Sequence, residues 1–459
     1  MNKFGIEVSI KNPASLDPKF LPLSLFNKAF LTTAKQPLAL ALERPDGQIS
    51  TYETFVHGTP ERAEADRYYV DRLVKALLWQ CGGFRVHVCG NEDMYRSVAG
   101  AYCVGGSRAF DFDFMSGVYE RPFEVVHASY EDRPQAKQSA QPIGRHLKGC
   151  RIGFDAGGSD RKVSAVVDGE VTFSEEVVWH PVSNADPDYH YEGIVSAFKQ
   201  AASHMPRVDA IGISSAGIYV NNRTMVASLF RAVPKDLFEQ KIKDIYLRAA
   251  KEIGDVPVAV ANDGDVSALA GAMGMNVNNL LGLAMGTSEA GGFVDAEGNI
   301  TGWLNELAFI PVDANENANE DEWSGDIGCG RVMFSQDGVI HLAPAAGVDL
   351  SAAETHAEKL KIAQALMAQD DPRAAEIYRN LGVYLGHAVP FYEDLYHMDH
   401  ILLLGRVMSG KGGDLIVSEA RRVLMDEYPD CHVNLALPDE NTRRVGQSVA
   451  AASLPQIDS

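Results

Sequence analysis

The sequence has no long apolar run, no basic cluster and no Cys-x-x-Cys pair, and each absence argues against a class of protein. No stretch approaches the roughly 18 apolar residues of a membrane-spanning helix, so we expect no membrane span. The 41 lysines and arginines form no run and are outnumbered by 62 aspartates and glutamates, which disfavours nucleic acid as a partner. Met1–Ile10 lacks the basic and apolar segments of a signal peptide.

The 6 cysteines are spread along the chain, as reduced core cysteines usually are. They are Cys81, Cys89, Cys103, Cys150, Cys329 and Cys431. This distribution favours a cytoplasmic location. A chain of 459 residues with 46% hydrophobic residues, 22% charged residues and a net charge of -21 is typical of a soluble protein of two or three domains.

Residues 1–147 are predicted to form an accessory α/β domain. The expected elements are a hairpin over Pro37–Arg44 and Gln48–His57, a helix around Val70–Leu78, a strand over Phe84–Cys89 and a helix over Glu92–Tyr102. The polar segment Glu131–Gln141 is the expected linker. A packing or dimerisation module is the favoured interpretation of this domain, and its aromatic stretch Phe110–Phe123 could instead form a lid over the cleft or cap a partner subunit.

Beyond the linker, strand and helix patterns alternate. The predicted strands are Arg151–Phe154, Lys162–Val167, Glu170–Phe173, Ala210–Ser214, Val256–Val260, Leu280–Ala284, Ile401–Leu404 and His432–Leu437. The predicted helices are Tyr189–Met205, Pro234–Ile253, Ala352–Gln369 and Pro372–Met398. Two strand–glycine-loop–hairpin units recur in this part of the chain, and a repeated device of this kind indicates a shared task.

The first glycine-loop unit is Arg151–Phe173. An apolar strand leads to Asp155, and the following loop consists of Gly157, Gly158 and Ser159. Glycines let backbone N–H groups approach phosphate oxygens, and an aspartate at a strand end can hold a hydrated Mg²⁺. A plain β-hairpin with a glycine-rich turn is the alternative.

The second unit, Leu280–Ile300, follows a similar plan. Its apolar strand leads into a loop of Gly286, Thr287 and Ser288, and Gly291 and Gly292 follow. Two such hairpins could clamp phosphates from opposite sides. A structural hairpin is again the alternative.

Two further strand ends carry candidate chemistry. Asn262 and Asp263 lie where a buried strand meets a helix, and a carboxylate there can accept a proton from an attacking hydroxyl. A turn with a helix N-cap is the simpler interpretation of that pair. Near the end of the chain, Gly405 and Gly410 almost spell a P-loop, but Gly412 replaces the hydroxyl residue that would bind magnesium.

In this order the four segments resemble the phosphate, catalytic and adenosine motifs of the actin-like ATPase superfamily, and more narrowly those of the ROK family of bacterial sugar kinases and repressors. DAGGSDRK, Asp155–Lys162, is similar to that family's DxGGT motif. NDGDVSALAG, Asn262–Gly271, is similar to NDANAAALGE, and GTSEAGG, Gly286–Gly292, stands where the family has GTGxGGG.

The resemblance implies a two-lobed actin-like (ribonuclease H-like) ATPase fold behind the extra N-terminal domain. Lobe 1 would comprise residues 148–270 with a C-terminal helix at 440–459, and lobe 2 residues 271–439.

The resemblance also implies ATP-dependent phosphorylation of a sugar hydroxyl in the cleft between the lobes. Asp263 would be the general base, with Asn262 and Glu306 as sugar ligands and Asp155 facing Mg²⁺. ATP would be bound by Gly157, Gly158, Ser159, Lys162, Gly286, Thr287, Ser288, Gly405 and Gly410.

The chain departs from the family around its zinc site. Phe309 occupies the position of the family's metal-binding histidine, and Cys329 stands alone where the family has a cysteine cluster. One thiol cannot build a tetrahedral site, so we expect no structural zinc. We expect Phe309 and the acidic loop Asn315–Asp326 to rebuild the floor of the sugar pocket. Glu289 would repel phosphate in the second loop unless it is turned away or bridged by a metal, and Asp160 presents a similar charge after the first.

Three functions remain open from the sequence. The favoured one is a kinase of a sugar, polyol or amino sugar, because Asp263 lies at the strand-to-helix step that suits a general base. A non-catalytic sugar- or nucleotide-sensing protein on the same fold is the alternative, and an ATPase or activator-type relative is the third. We expect a homodimer, the commonest oligomer.

Overall fold

The computed structural model describes residues 1–137, 143–439 and 446–457. Internal contacts divide the chain into two compact units. Unit 1 contains Met1–Ser139, Leu283–Gly291 and Trp303–Leu437, and unit 2 contains Ala140–Gly282, Gly292–Gly302 and Pro438–Ser459. Parts of the predicted linker and of the predicted C-terminal helix lie outside the described residues. The three-domain division remains a prediction.

The elements alternate along most of the chain. The strands are β1 Asn2–Lys3, β2 Ile6–Glu7, β3 Gln36–Arg44, β4 Gln48–Val56, β5 Arg85–Cys89, β6 Glu124–Ala128, β7 Cys150–Ala156, β8 Asp160–Val167, β9 Glu170–Val178, β10 Ala210–Ser215, β11 Ile218–Val220, β12 Arg223–Val226, β13 Val258–Asn262, β14 Leu280–Met285, β15 Glu289–Val294, β16 His400–Leu404 and β17 Asn434–Ala436. The helices are α1 Leu23–Thr33, α2 Ala63–Cys81, α3 Glu92–Ala101, α4 Ala109–Tyr119, α5 Pro187–Ala202, α6 Lys235–Leu237, α7 Ile245–Lys251, α8 Asp263–Met275, α9 Gln336–Leu342, α10 His356–Ala368, α11 Pro372–Tyr396, α12 Lys411–Glu427 and α13 Gln447–Ala452.

Unit 1 holds a four-stranded sheet in the order β4-β3-β5-β6. The predicted hairpin is confirmed, and it turns at Asp46 and Gly47, whose φ angles of 61° and 67° suit the right-handed twist of the paired strands. Helix α2 ends at Cys81 and is capped by Gly82, whose N–H donates to the Leu78 carbonyl at 2.8 Å. A second four-stranded sheet has the order β15-β14-β16-β17.

Unit 2 is built on a five-stranded sheet in the order β13-β10-β7-β8-β9. Strands β7, β8 and β9 form an antiparallel meander, whereas β10 runs parallel to both β7 and β13. The carboxyl ends of β7, β10 and β13 therefore meet at one edge, where polar side chains can collect.

Helix α13 lies directly on this sheet because two strand glycines leave room for it. A Cβ added at Gly153 of β7 would lie 1.7 Å from the Ser448 carbonyl oxygen. A Cβ at Gly212 of β10 would lie 1.7 Å from the Ala451 carbonyl oxygen. Side chains at these two positions would push the helix off the sheet.

The prediction of a single helix over Pro234–Ile253 was wrong. The segment is broken into α6, a π-type turn over Phe238–Ile242, and α7. The Lys243 N–H bonds back to the Phe238 carbonyl, and the Lys243 carbonyl accepts a hydrogen bond from the N–H of buried Thr224 at 2.9 Å. This bond to β12 diverts a carbonyl that an uninterrupted helix would use. Among the described residues, none of the helices is long and apolar enough to cross a membrane.

Candidate active site

Asp155 lies near the carboxyl end of β7, in unit 2. Its side chain is buried, and Ser214 on the neighbouring strand β10 donates a hydrogen bond from Oγ to Asp155 Oδ1 at 2.8 Å. The two residues are partners in the parallel register of β7 and β10. Burial raises the pKa of Asp155 to about 6 although the Ser214 hydrogen bond opposes the shift.

Asp263 begins helix α8 directly after β13, so it too lies at the carboxyl edge of the unit 2 sheet. Burial raises its pKa above the usual value, although its carboxylate accepts the Gly264 N–H at 3.0 Å. The charge of Asp263 also contributes to the raised pKa of Asp155. Strand β10 pairs in parallel with both β7 and β13, so the predicted magnesium ligand and the predicted base lie at the same edge of one sheet.

Asn262 holds the step from β13 to α8. Its Oδ1 accepts the Gly264 N–H at 2.7 Å, and its Nδ2 donates to the Gly217 carbonyl at 2.7 Å. It is therefore the N-cap of α8, as the simpler interpretation expected. An amide can donate two hydrogen bonds, so one Nδ2 hydrogen remains beyond the Gly217 bond.

The first glycine loop, Gly157, Gly158 and Ser159, joins β7 to β8. Trp179 fixes its far side, because its indole Nε1 donates to the Gly157 carbonyl at 2.7 Å and its backbone N–H donates to the Ser159 carbonyl at 3.1 Å. A Cβ at Gly158 would approach no atom closer than 3.9 Å, so space remains over that backbone. Bare backbone of this kind fits a phosphate.

Two charged residues accompany this loop. Asp160 accepts a hydrogen bond from the Ser159 hydroxyl at 3.0 Å and lies 3.9 Å from the Lys162 ammonium. Its negative charge is thus partly compensated. Lys162 is the register partner of Asp155 on β8, and its positive charge lowers the pKa of that carboxyl.

The sequence reasoning missed the polar residues beneath the two carboxyls. Tyr246 donates a hydrogen bond from its hydroxyl to Ser215 Oγ at 2.7 Å, next to Ser214. Both serines are fully buried at the end of β10. A pair of serines that ends a buried strand was the available signal, because parallel neighbours bring such ends together.

The second glycine loop lies in unit 1. The Gly286 N–H donates to the Ser288 carbonyl at 3.0 Å, and the Gly286 carbonyl accepts from the Gln336 N–H at 2.9 Å. The side chains of Thr287 and Ser288 are exposed. The turn is therefore held by its backbone while both hydroxyls remain accessible.

Gly405 and Gly410 follow β16 in the same unit. Gly405 has a φ of +94°, and a Cβ there would lie 2.3 Å from the Met285 carbonyl oxygen, so the end of β16 lies against the end of β14. Gly410 has a φ of +66°, with open space where a Cβ would point. Lys411, which follows Gly410, pairs with Asp370 at 2.6 Å.

Glu289 is turned into the interior of unit 1. Its side chain is only 3% exposed, and the Tyr392 hydroxyl donates to Oε1 at 3.2 Å. Oε2 has no hydrogen-bond partner, and a Cβ at Gly330 would lie 2.1 Å from it. Burial raises the pKa of Glu289 to about 8. Of the two sequence-based alternatives, the turned-away orientation is the one observed, and burial favours the neutral form of the carboxyl.

Glu306 precedes a short 3₁₀ turn over Leu307–Phe309 in unit 1. Its N–H donates to the Trp79 carbonyl at 3.0 Å, and its side chain is partly exposed. Phe309 packs on Trp79 with ring centroids 4.2 Å apart. The proposed sugar ligand thus rests against helix α2.

Cys329 is buried, and its Sγ donates to Asp326 Oδ2 at 3.7 Å. Within the described ranges, no group of three or more histidine, cysteine, aspartate or glutamate side chains could hold a metal ion. The absence of structural zinc stays a prediction.

Comparison with solved structures defines the fold. The ROK hexokinase of Thermus thermophilus matches with a TM-score of 0.52 at 18% identity, over 66% of this chain and 97% of the hexokinase. A ROK family transcriptional regulator, a homolog of the E. coli MLC protein, matches with a TM-score of 0.50 at 19% identity, over 67% of this chain and 79% of the regulator. A ROK family glucokinase from Streptomyces griseus, in complex with glucose and AMPPNP, has a TM-score of 0.48 at 18% identity and covers 66% of this chain and 98% of its own.

The chain therefore has the actin-like ATPase fold, as predicted. Within that class it has the fold of the ROK proteins, so the resemblance found in the sequence is confirmed at the level of fold. No protein-family model and no curated protein matches it.

Proposed function

We propose that the chain is an ATP-dependent kinase of a sugar or sugar-like hydroxyl. The observation that carries the proposal is the pair of carboxyls, buried Asp155 and partly buried Asp263, at the carboxyl edge of the unit 2 sheet. Carboxyls with raised pKa values at such an edge are typical of functional sites. The shared fold of the ROK hexokinase supports the same proposal.

Asp263 acts as the general base. Its raised pKa makes it a stronger base than an ordinary aspartate, so it can take the proton of the attacking hydroxyl. Its hydrogen bond from the Gly264 N–H orients the carboxylate. Asn262 contacts the sugar with its remaining amide hydrogen, and Glu306 accepts hydrogen bonds from sugar hydroxyls.

The remaining residues bind ATP. Asp155 holds a hydrated Mg²⁺, which neutralises charge on the phosphates when it is bound. Lys162 adds a positive charge beside Asp155. The backbone N–H groups of the first loop, together with Gly286, Thr287 and Ser288, bind phosphate oxygens. Gly405 and Gly410 border the adenosine. We also propose that the protein is cytoplasmic and forms a homodimer.

A sensing protein is the second candidate. The ROK transcriptional regulator matches this fold about as well as the hexokinase does, with TM-scores of 0.50 and 0.52. Such a protein would bind a sugar or nucleotide without efficient transfer.

The test is ADP release from ATP and Mg²⁺ across hexoses, N-acetyl sugars and polyols, with Asp263→Asn beside the wild type. Asp265→Asn is the matched control, because Asp265 is buried in the same helical turn, where its Oδ1 accepts the Phe293 N–H at 3.1 Å. We expect sugar-dependent ADP that persists in the Asp265 variant and vanishes in the Asp263 variant. Ligand-induced thermal stabilisation without turnover would favour the sensor.

A further inference from the structure

We infer that helix α2 is the element that positions Glu306, and that Trp79 is the positioning side chain through which it acts. The inference rests on the proposed function in one respect, since Glu306 is taken as the sugar ligand. It assigns a task to the N-terminal segment, namely to build one wall of the sugar subsite. Every contact in the argument lies within unit 1.

The last turn of α2 offers backbone acceptors that the helix cannot satisfy itself. The final carbonyls of any α-helix lack an intrahelical donor. In α2 the Trp79 carbonyl accepts the Glu306 N–H and the Gln80 carbonyl accepts the Asn305 N–H, both at 3.0 Å. The end of α2 and the Glu306 segment therefore complete each other's hydrogen bonding.

The side chain of Trp79 holds the other end of the same segment. Its indole is fully buried, and its ring centroid lies 4.2 Å from that of Phe309, which closes the 3₁₀ turn begun by Glu306. The indole Nε1 donates to Asp111 at 2.8 Å, which fixes the orientation of the ring. Phe110 and Phe114 of α4 pack on it as well. Glu306 is thus held by its own backbone hydrogen bond to Trp79 and by the packing of Phe309 on the Trp79 ring.

Asn305 adds a third constraint. It has a φ of +51°, a left-handed conformation that asparagine tolerates better than most residues. Its Oδ1 accepts the Tyr396 hydroxyl at 3.1 Å, and a Cβ at Gly291 would lie 2.6 Å from its carbonyl oxygen. Helix α11 and strand β15 therefore fix the backbone immediately before Glu306, and a shift of α2 cannot be absorbed there.

A buried ion network holds α2 itself in place. Lys75 contacts both Asp111 and Asp326 at 3.2 Å. The members of the network are Asp71, Arg72, Lys75, Arg108, Asp111 and Asp326. Burial alone would raise the pKa of Asp326, but Arg72 and Lys75 outweigh it and hold the pKa below its usual value. The network therefore ties α2 to the acidic loop through Asp326.

The experiment compares Trp79→Leu with Phe30→Leu in the full chain. Phe30 is a matched control because it is also fully buried and ring-stacked, with its centroid 4.3 Å from that of Tyr69. Hydrogen exchange is followed in peptides that cover residues 303–310. We expect about tenfold faster exchange of the Asn305 and Glu306 amides in Trp79→Leu, and no change in Phe30→Leu. Trp79→Phe, which keeps an aromatic ring against Phe309, should restore most of the protection.

Steady-state kinetics then test the sugar subsite. In Trp79→Leu we expect the KM for the sugar to rise about tenfold while the KM for ATP changes less than about twofold. Unchanged exchange at residues 303–310, or equal effects of Trp79→Leu and Phe30→Leu, would overturn the inference. If the wild type phosphorylates no sugar, the proposed function fails, and the exchange result still decides whether α2 positions Glu306.

Discussion

Replacement of Glu289 by glutamine should remove a pH-dependent loss of stability. The carboxyl is buried beside Tyr392 and Gly330, and burial raises its pKa from 4.5 to about 8. Between these two pH values the folded chain binds more protons than the unfolded chain. The free energy of unfolding therefore falls as the pH rises through this window and becomes level above about pH 8.

The size of the effect follows from the same two pKa values. Each pH unit between them is worth about 1.4 kcal/mol, so the window from 4.5 to about 8 sets a ceiling of about 5 kcal/mol. Relaxation of the site when the carboxyl ionises lowers this figure, and we expect about 2 to 4 kcal/mol. Glutamine keeps an oxygen that can accept the Tyr392 hydroxyl and carries no charge.

The assay is denaturant unfolding of the wild type and Glu289→Gln at pH 5, 7 and 9. The variant should resemble the wild type at pH 5 and be clearly more stable at pH 9, because only the wild type then buries a charge. Glu61→Gln, at an exposed position, serves as the control and should follow the wild type at every pH. Parallel curves for wild type and Glu289→Gln would refute the reasoning, since other titrating groups cancel in the difference.

Two further predictions concern unit 2. Because burial raises the pKa of Asp155 to about 6, kcat/KM should fall as the pH drops below about 6. A higher Mg²⁺ concentration should shift this acidic limb of the pH profile to lower pH. An acidic limb that does not move with Mg²⁺ concentration would contradict the assignment of Asp155. A Cβ at Gly292 would lie 2.2 Å from the Gly264 carbonyl oxygen, so Gly292→Ala should displace the start of α8 and lower kcat about tenfold or more through Asp263. Gly254→Ala, whose Cβ would approach no atom closer than 3.8 Å, should leave kcat unchanged, and equal rates for both variants would argue against the displacement.

Local features of the fold were predictable because their causes are local. Asp46 with Gly47, and Asp168 with Gly169, are adjacent pairs with positive φ, and both lie at the hairpin turns where the sequence placed them. The break between α6 and α7 was not predictable, since it depends on a hydrogen bond between Lys243 and Thr224. No pattern within the segment Pro234–Ile253 reports that contact.

The candidate site divides in the same way. Asp155 and Asp263 were found because each follows an apolar strand, and the carboxyl ends of parallel strands share an edge. Ser214 was missed because its role depends on β10 lying beside β7. The orientation of Glu289 depends on Tyr392 and Gly330, which are distant in the sequence. The local sequence therefore could not distinguish a charged Glu289 in a phosphate loop from a buried, neutral one.

The contact between α13 and the unit 2 sheet sets an order of events during synthesis. Strand β7, with Asp155, leaves the ribosome long before residues 447–452, which cover Gly153 and Gly212. Gln447 also donates to the Ser267 hydroxyl at 2.5 Å, in the first turns of α8. A nascent chain that has not reached residue 447 therefore leaves Gly153 and Gly212 uncovered, and the packing of the unit 2 sheet is completed only after residues 447–452 have been synthesised.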